Sequence, residues 1–62
     1  MIFYGVVQEY YDDWQVYAWI THHAGAEILP SRMETHPNKD VYIDYFTDKA
    51  EAIKFCDGAL HA

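Results

Sequence analysis

The sequence predicts a small α+β fold: an antiparallel sheet of three to four strands built from hairpins, with one C-terminal helix packed on one face. Three observations carry this reading. Two runs rich in β-branched and aromatic residues, Ile2 to Tyr11 and Trp14 to Thr21, are separated by the turn formers Asp12 and Asp13. A third such run, Val41 to Phe46, follows the turn chemistry of His36-Pro37-Asn38-Lys39-Asp40. After Thr47 the apolar spacing changes from alternation to the helical repeat. A helix laid on one face of an antiparallel sheet is the simplest way to bury both elements.

Taken in order, the first two runs read as a hairpin whose register depends on the loop. With two or four loop residues, Tyr10 faces Gln15 and Val6 faces Trp19. Tyr4, Tyr10, Tyr17 and Trp19 then share one face with Ile2, Val6, Gln8 and Gln15. Phe3, Gly5, Val7, Glu9, Val16, Ala18 and Ile20 share the other. A change of one residue in the loop regroups both faces, because strand side chains alternate with period two. Asp-Asp is not the Asn-Gly or Asp-Gly pair that fixes a tight turn. In either register the hairpin is apolar on both sides, which is more than a single helix can cover.

Ala24-Gly25 breaks the second strand and Pro30 interrupts again. Ser31 to Thr35 reads as a short strand, forming a second hairpin, Arg32–Thr35 with Val41–Phe46. In the last segment Thr47 is a good N-cap and Asp48 favours the first turn. Ala50, Ile53, Cys56 or Asp57, and Leu60 follow the helical repeat, broadened by Ala52, Phe55 and Ala59. Gly58 is placed as the residue just past the helix end, and Lys49, Glu51, Lys54 and Asp57 toward water. The expectation is a single domain over residues 1–62.

Composition bounds the function. The chain has 62 residues, and a domain that small buries only about 60% of its unfolded surface. Its one cysteine, Cys56, allows no internal disulfide. Six Tyr, three Phe and two Trp supply the apolar mass instead, and the same residue types are enriched at interfaces. Ten acidic against four basic residues give a net charge of −6. That balance opposes direct nucleic-acid binding, which needs Lys and Arg to displace counterions, and opposes docking on anionic membranes. The favoured partner is a protein with a basic surface. The apolar start, Met1 to Val7, has no basic residue before it and is too short to span a membrane. With a lone thiol, this points to a reducing cytoplasm.

No catalytic or cofactor signature emerges, and the expectation is a protein that is not an enzyme. His22 and His23 are adjacent, so on a strand they point to opposite faces. A metal site from one of them with Cys56 and His61 matches none of the usual zinc spacings; no metal or cofactor is expected, and a small metal-binding domain stands as the last alternative. Cys56 lies in the helix stripe, where a small sulfur side chain fills a core. Glu9, Asp44 and Asp48 approach one another only under some strand orders. Gly5, Gly25 and Gly58 are isolated, and Ser31 has no nucleophile motif around it.

The candidate partner-binding residues are therefore Tyr4, Tyr10, Tyr17 and Trp19 with Asp12, Asp13 and Trp14 at the turn, where Tyr11 also lies. Tyr and Trp dominate binding hot spots, and Glu9, Asp12, Asp13 and Asp44 would steer toward basic surfaces. In size, acidity, aromatic richness and lack of a catalytic signature the chain resembles, as a class, the small proteins bacteriophages make to inhibit host machinery. Anti-CRISPR proteins and RNA-polymerase inhibitors belong to that class. The likeness carries no residue correspondence, so no functional position follows from it. The second expectation is a homodimer, or other homo-oligomer, in which the surplus aromatic surface pairs with itself.

Overall fold

The structure, a computed structural model, describes residues 1–61. Four strands, β1 (Ile2–Tyr11), β2 (Val16–Ala24), β3 (Arg32–His36) and β4 (Lys39–Phe46), precede one helix, α1 (Lys49–Leu60). The strands form one antiparallel sheet in the order β2-β1-β4-β3, so β1 and β4 are central and β2 and β3 are the edges. This is the small α+β arrangement expected, a sheet with one C-terminal helix on it.

The first hairpin corrects the register expected from a two- or four-residue loop. Tyr10 pairs with Val16, and Val6 with Ile20. The loop holds three residues, Asp12, Asp13 and Trp14. It is closed by the Tyr11 N–H donating to the Gln15 carbonyl (2.9 Å) and by the Trp14 N–H donating to the Tyr11 carbonyl (3.1 Å). Trp14 takes φ 71°, the left-handed conformation such loops need at their last position. The odd loop length splits the four aromatic residues expected on one face. Tyr4 and Tyr10 lie with Val6, Gln8, Val16, Ala18, Ile20 and His22. Tyr17 and Trp19 lie with Phe3, Gly5, Val7, Glu9, Tyr11, Thr21 and His23 on the other side.

The second hairpin pairs His36 with Lys39 around Pro37-Asn38, one residue longer in β3 and two in β4 than expected. The two hairpin tips are tied together, the Asp12 N–H donating to the Asn38 carbonyl (3.2 Å).

Helix α1 starts one residue later than expected. Asp48, not Thr47, is the N-cap, its carboxylate accepting from the Ala50 N–H (2.9 Å). Gly58 lies inside the helix, and His61 is the C-cap, its N–H donating to the Asp57 carbonyl. The buried stripe is narrower than the apolar spacing implied. Ala52 and Cys56 are buried and Ala59 half-buried, while Ile53, Phe55 and Leu60 are each more than 40% exposed. Small residues at i, i+4 and i+7 let the helix approach Val6, which is fully buried, with Tyr4, Ala18, Ile20 and Phe46 around it. Among the described residues α1 packs over β1 and β2, touches β4 lightly and does not reach β3.

The opposite face has a cluster of its own. The Phe3 ring is buried, stacked on His23 (5.2 Å between centroids) and edge-on to Tyr45 (5.8 Å). Val41 and Ile43 are also buried.

Candidate interaction surfaces

Three surfaces bring together the residues that composition singled out. The first is the β1–β2 tip. Trp14 is 93% exposed. Asp12 and Asp13 beside it are exposed, and Asp13 Oδ1 accepts from the Gln15 N–H (3.2 Å), which fixes the turn. A bulky residue at positive φ is strained, because its Cβ crowds the backbone, and glycine would sit there at lower cost. The chain thus holds its most exposed aromatic side chain on a strained backbone position.

The second surface is the sheet face away from α1. Tyr17 and Trp19 are half-exposed there. Tyr17 packs edge-on against Tyr11 (5.6 Å), and its hydroxyl donates to Gln15 Oε1 (2.6 Å). Lys39 of β4 reaches across to β1, donating to Glu9 Oε2 at 2.8 Å, with its ammonium 5.4 Å from the Tyr11 ring centroid. The Lys39 hydrogen bond holds the Glu9 carboxyl below its ordinary value against the opposing effect of partial burial. The same bond, with one to the Tyr11 hydroxyl, raises Lys39. Glu9 is thus engaged in holding β1 to β4.

Of the third surface only Tyr10 and Asp44 were singled out from the sequence, and not as a common site. It is the half of the helix side that α1 leaves bare, a groove of about 400 Å³ lined by Gln8, Tyr10, Asp40, Tyr42, Asp44 and Phe55. Tyr10 and Tyr42 meet edge-on at 5.7 Å, and the Tyr10 hydroxyl donates to Gln8 Oε1 at 2.6 Å. Asp40 and Asp44 are half-buried. Neither has an ion-pair partner among the described residues. A carboxylate in a strand interior is uncommon, and that was the available signal at Asp44. Its position on the helix side became readable only with the strand order. Of the other sequence candidates, Tyr4 packs edge-on against His22 (5.4 Å) at the border of the core.

Chemistry-bearing side chains are dispersed. Glu9 lies on one face of the sheet and Asp44 on the other, while Asp48 caps the helix, so these carboxylates do not converge. No three His, Cys, Asp or Glu side chains cluster around a possible metal position among the described residues. Cys56 is buried, and that burial, followed by the Asp57 carboxylate, pushes its thiol pKa up, so it stays protonated at neutral pH. No helix among the described residues is long and apolar enough to cross a membrane. No protein-family model, no curated protein and no solved structure matches this chain.

Proposed function

We propose that the chain is a non-enzymatic binding protein that engages a protein partner with a basic surface through the β1–β2 tip. The observation that supports this best is Trp14, 93% exposed at φ 71° and preceded by two exposed aspartates. Local strain retained at a surface site is a reason to look for function there, and Trp is the residue most enriched in hot spots. The carboxylates of Asp12 and Asp13, with Asp40 and Asp44 in the groove, supply charge complementary to Lys and Arg. A carboxylate-lined surface of this kind mimics nucleic-acid charge, as expected of the phage-type inhibitors the composition resembles, acting in a reducing cytoplasm.

Affinity capture with wild-type and Trp14→Ala baits tests the reading. The expected result is a stoichiometric partner held at low ionic strength, released by salt, and lost with the variant. Recovery of nothing at low salt, or equal recovery with both baits, overturns it. Self-association is a second reading, and a separate observation favours it: β2, an edge strand, has no Asp, Glu, Lys or Arg along its whole length.

A further inference from the structure

We infer that β2 pairs antiparallel with β2 of a second copy across a two-fold axis, joining two four-stranded sheets into one of eight strands. The inference rests on the second reading above and stands apart from the first.

The free edge can be assigned residue by residue. At the loop end of the hairpin the Tyr11 N–H donates to Gln15 O. At the other end Gly25 N–H donates to Met1 O (3.0 Å), and the Met1 amino group donates to Gly25 O (2.7 Å). Between these ends the register runs unbroken. Antiparallel ladders alternate bonded and non-bonded pairs. Tyr17, Trp19, Thr21 and His23 therefore turn their backbone groups to β1. Val16, Ala18, Ile20, His22 and Ala24 turn theirs outward, where the sheet order places no strand.

The usual protections of such an edge are missing. β2 has no Pro, Lys, Arg, Asp or Glu in its nine residues, and no bulge interrupts its pairing. Apolar surface reaches the edge from both layers. Leu60 of α1 and, from the other face, Tyr17 and Trp19 line a groove of about 480 Å³ along Val16 and Ala18.

Charge selects a second copy as the occupant. A molecule of net charge −6 repels itself over most of its surface, and β2 is a strip where it presents no formal charge. Placing Ile20 on the two-fold axis brings all five outward-facing residues into the pairing and forms about ten hydrogen bonds between the copies. Ala18 then lies opposite His22 of the second copy and Val16 opposite Ala24. On the other face Trp19 lies opposite Thr21, within diagonal reach of the second Trp19. The strip is about 30 Å long and, sheet and helix together, roughly 20 Å deep. That is on the order of 600 Å² per copy, which reaches the lower end of specific stable interfaces.

Sedimentation of the full chain from micromolar to high-micromolar concentration tests this, combined with amide exchange read by NMR. A dimer is expected, with slow exchange at Ala18, Ile20 and His22. It should tighten as salt screens the like charges, whereas a complex with a basic partner loosens. Ala18→Pro removes an outward N–H and no bond to β1, so it should remain folded and weaken dimerisation about tenfold or more. Trp19→Glu, at a half-exposed position, should do the same by placing like charges near the axis, and it serves if the proline variant does not fold. Trp14→Ala should leave the dimer intact. A chain that stays monomeric in high salt overturns the proposal. So does a dimer whose Ala18, Ile20 and His22 amides exchange freely, or one that Trp19→Glu leaves unchanged. A monomer whose edge amides slow only when an extended foreign peptide is added assigns the edge to a different partner and also overturns it.

Discussion

The two edges of the sheet are built to opposite rules. β2 is nine residues long and carries no formal charge, and β3 is five residues long and carries Arg32 and Glu34. Pro30 precedes β3 and Pro37 ends it. Shortness, charge and flanking proline are the means by which proteins keep an edge from pairing with another chain. One edge is thus guarded and the other left open. The tips differ in the same way. The β3–β4 turn uses Pro37-Asn38 with no positive φ, while the β1–β2 turn forces Trp14 into one. The first hairpin carries backbone strain at its tip, and the second does not.

The largest effect should come from erasing that contrast. Arg32 and Glu34 form an exposed ion pair at 3.1 Å, their side chains 61% and 42% exposed, so the pair contributes little to stability. Replacing both with threonine should change the unfolding free energy by less than about 0.5 kcal/mol. With two uncharged edges, however, pairing no longer closes, and the variant should grow into open-ended oligomers visible by light scattering. A double variant no larger in assembly than wild type would show that length and proline alone guard β3.

The contrast between the hairpins also sets what was legible beforehand. The strands were readable because β-branched and aromatic runs ended at Asp12-Asp13, at Ala24-Gly25 and at Pro37-Asn38. The helix was readable from its repeat. The register was not, because it turned on whether the loop took Trp14 without also taking Tyr11, and neither aromatic residue carries a turn preference. That one-residue difference moved Tyr17 and Trp19 away from Tyr4 and Tyr10. At the helix start, Thr47 and Asp48 are both competent caps, and the geometry chose Asp48. The groove at Asp40, Tyr42 and Asp44 depended on where α1 lies across the sheet. The small stripe Ala52, Cys56 and Ala59 sets that position and leaves the larger Ile53, Phe55 and Leu60 exposed.

The next effect tests how β2 is held to β1. Gly5 sits opposite Thr21, whose hydroxyl is 2.7 Å from His23 Nε2 two residues along β2. A Cβ at Gly5 would overlap Thr21 Oγ1 and crowd the Tyr45 ring at 3.2 Å. Gly5→Ala should cost about 2 kcal/mol, measured by denaturant unfolding. Thr21→Ala in the same chain should recover part of that loss. An additive double mutant would mean that the close approach at Gly5 is not what constrains this position.

A smaller change separates presentation from stability at the tip. Trp14→Gly relieves roughly 1–2 kcal/mol of left-handed strain and costs roughly 0.5–1 kcal/mol in chain entropy. The variant should unfold slightly later than wild type and yet lose partner capture. A variant less stable than wild type would mean that the indole packs on something in the folded chain, contrary to its exposure.

The smallest effect compares two ion pairs, one tying the central strands and one on the guarded edge. Lys39 and Glu9 are 25% and 17% exposed, against 61% and 42% for Arg32 and Glu34. The Lys39 hydrogen bond depresses the Glu9 carboxyl from its ordinary 4.5, so the pair's contribution is complete above that value. It fades as pH falls through the lowered one. Lys39 is raised from 10.5, so its contribution is complete below that value and fades as pH climbs through the raised one. Between these limits the pair is insensitive to pH. Melting temperatures from about pH 7 to about pH 3 should fall for wild type and fall less for Glu9→Gln. If Glu9→Gln falls as steeply as wild type, the Lys39 tie between β1 and β4 counts for nothing in solution.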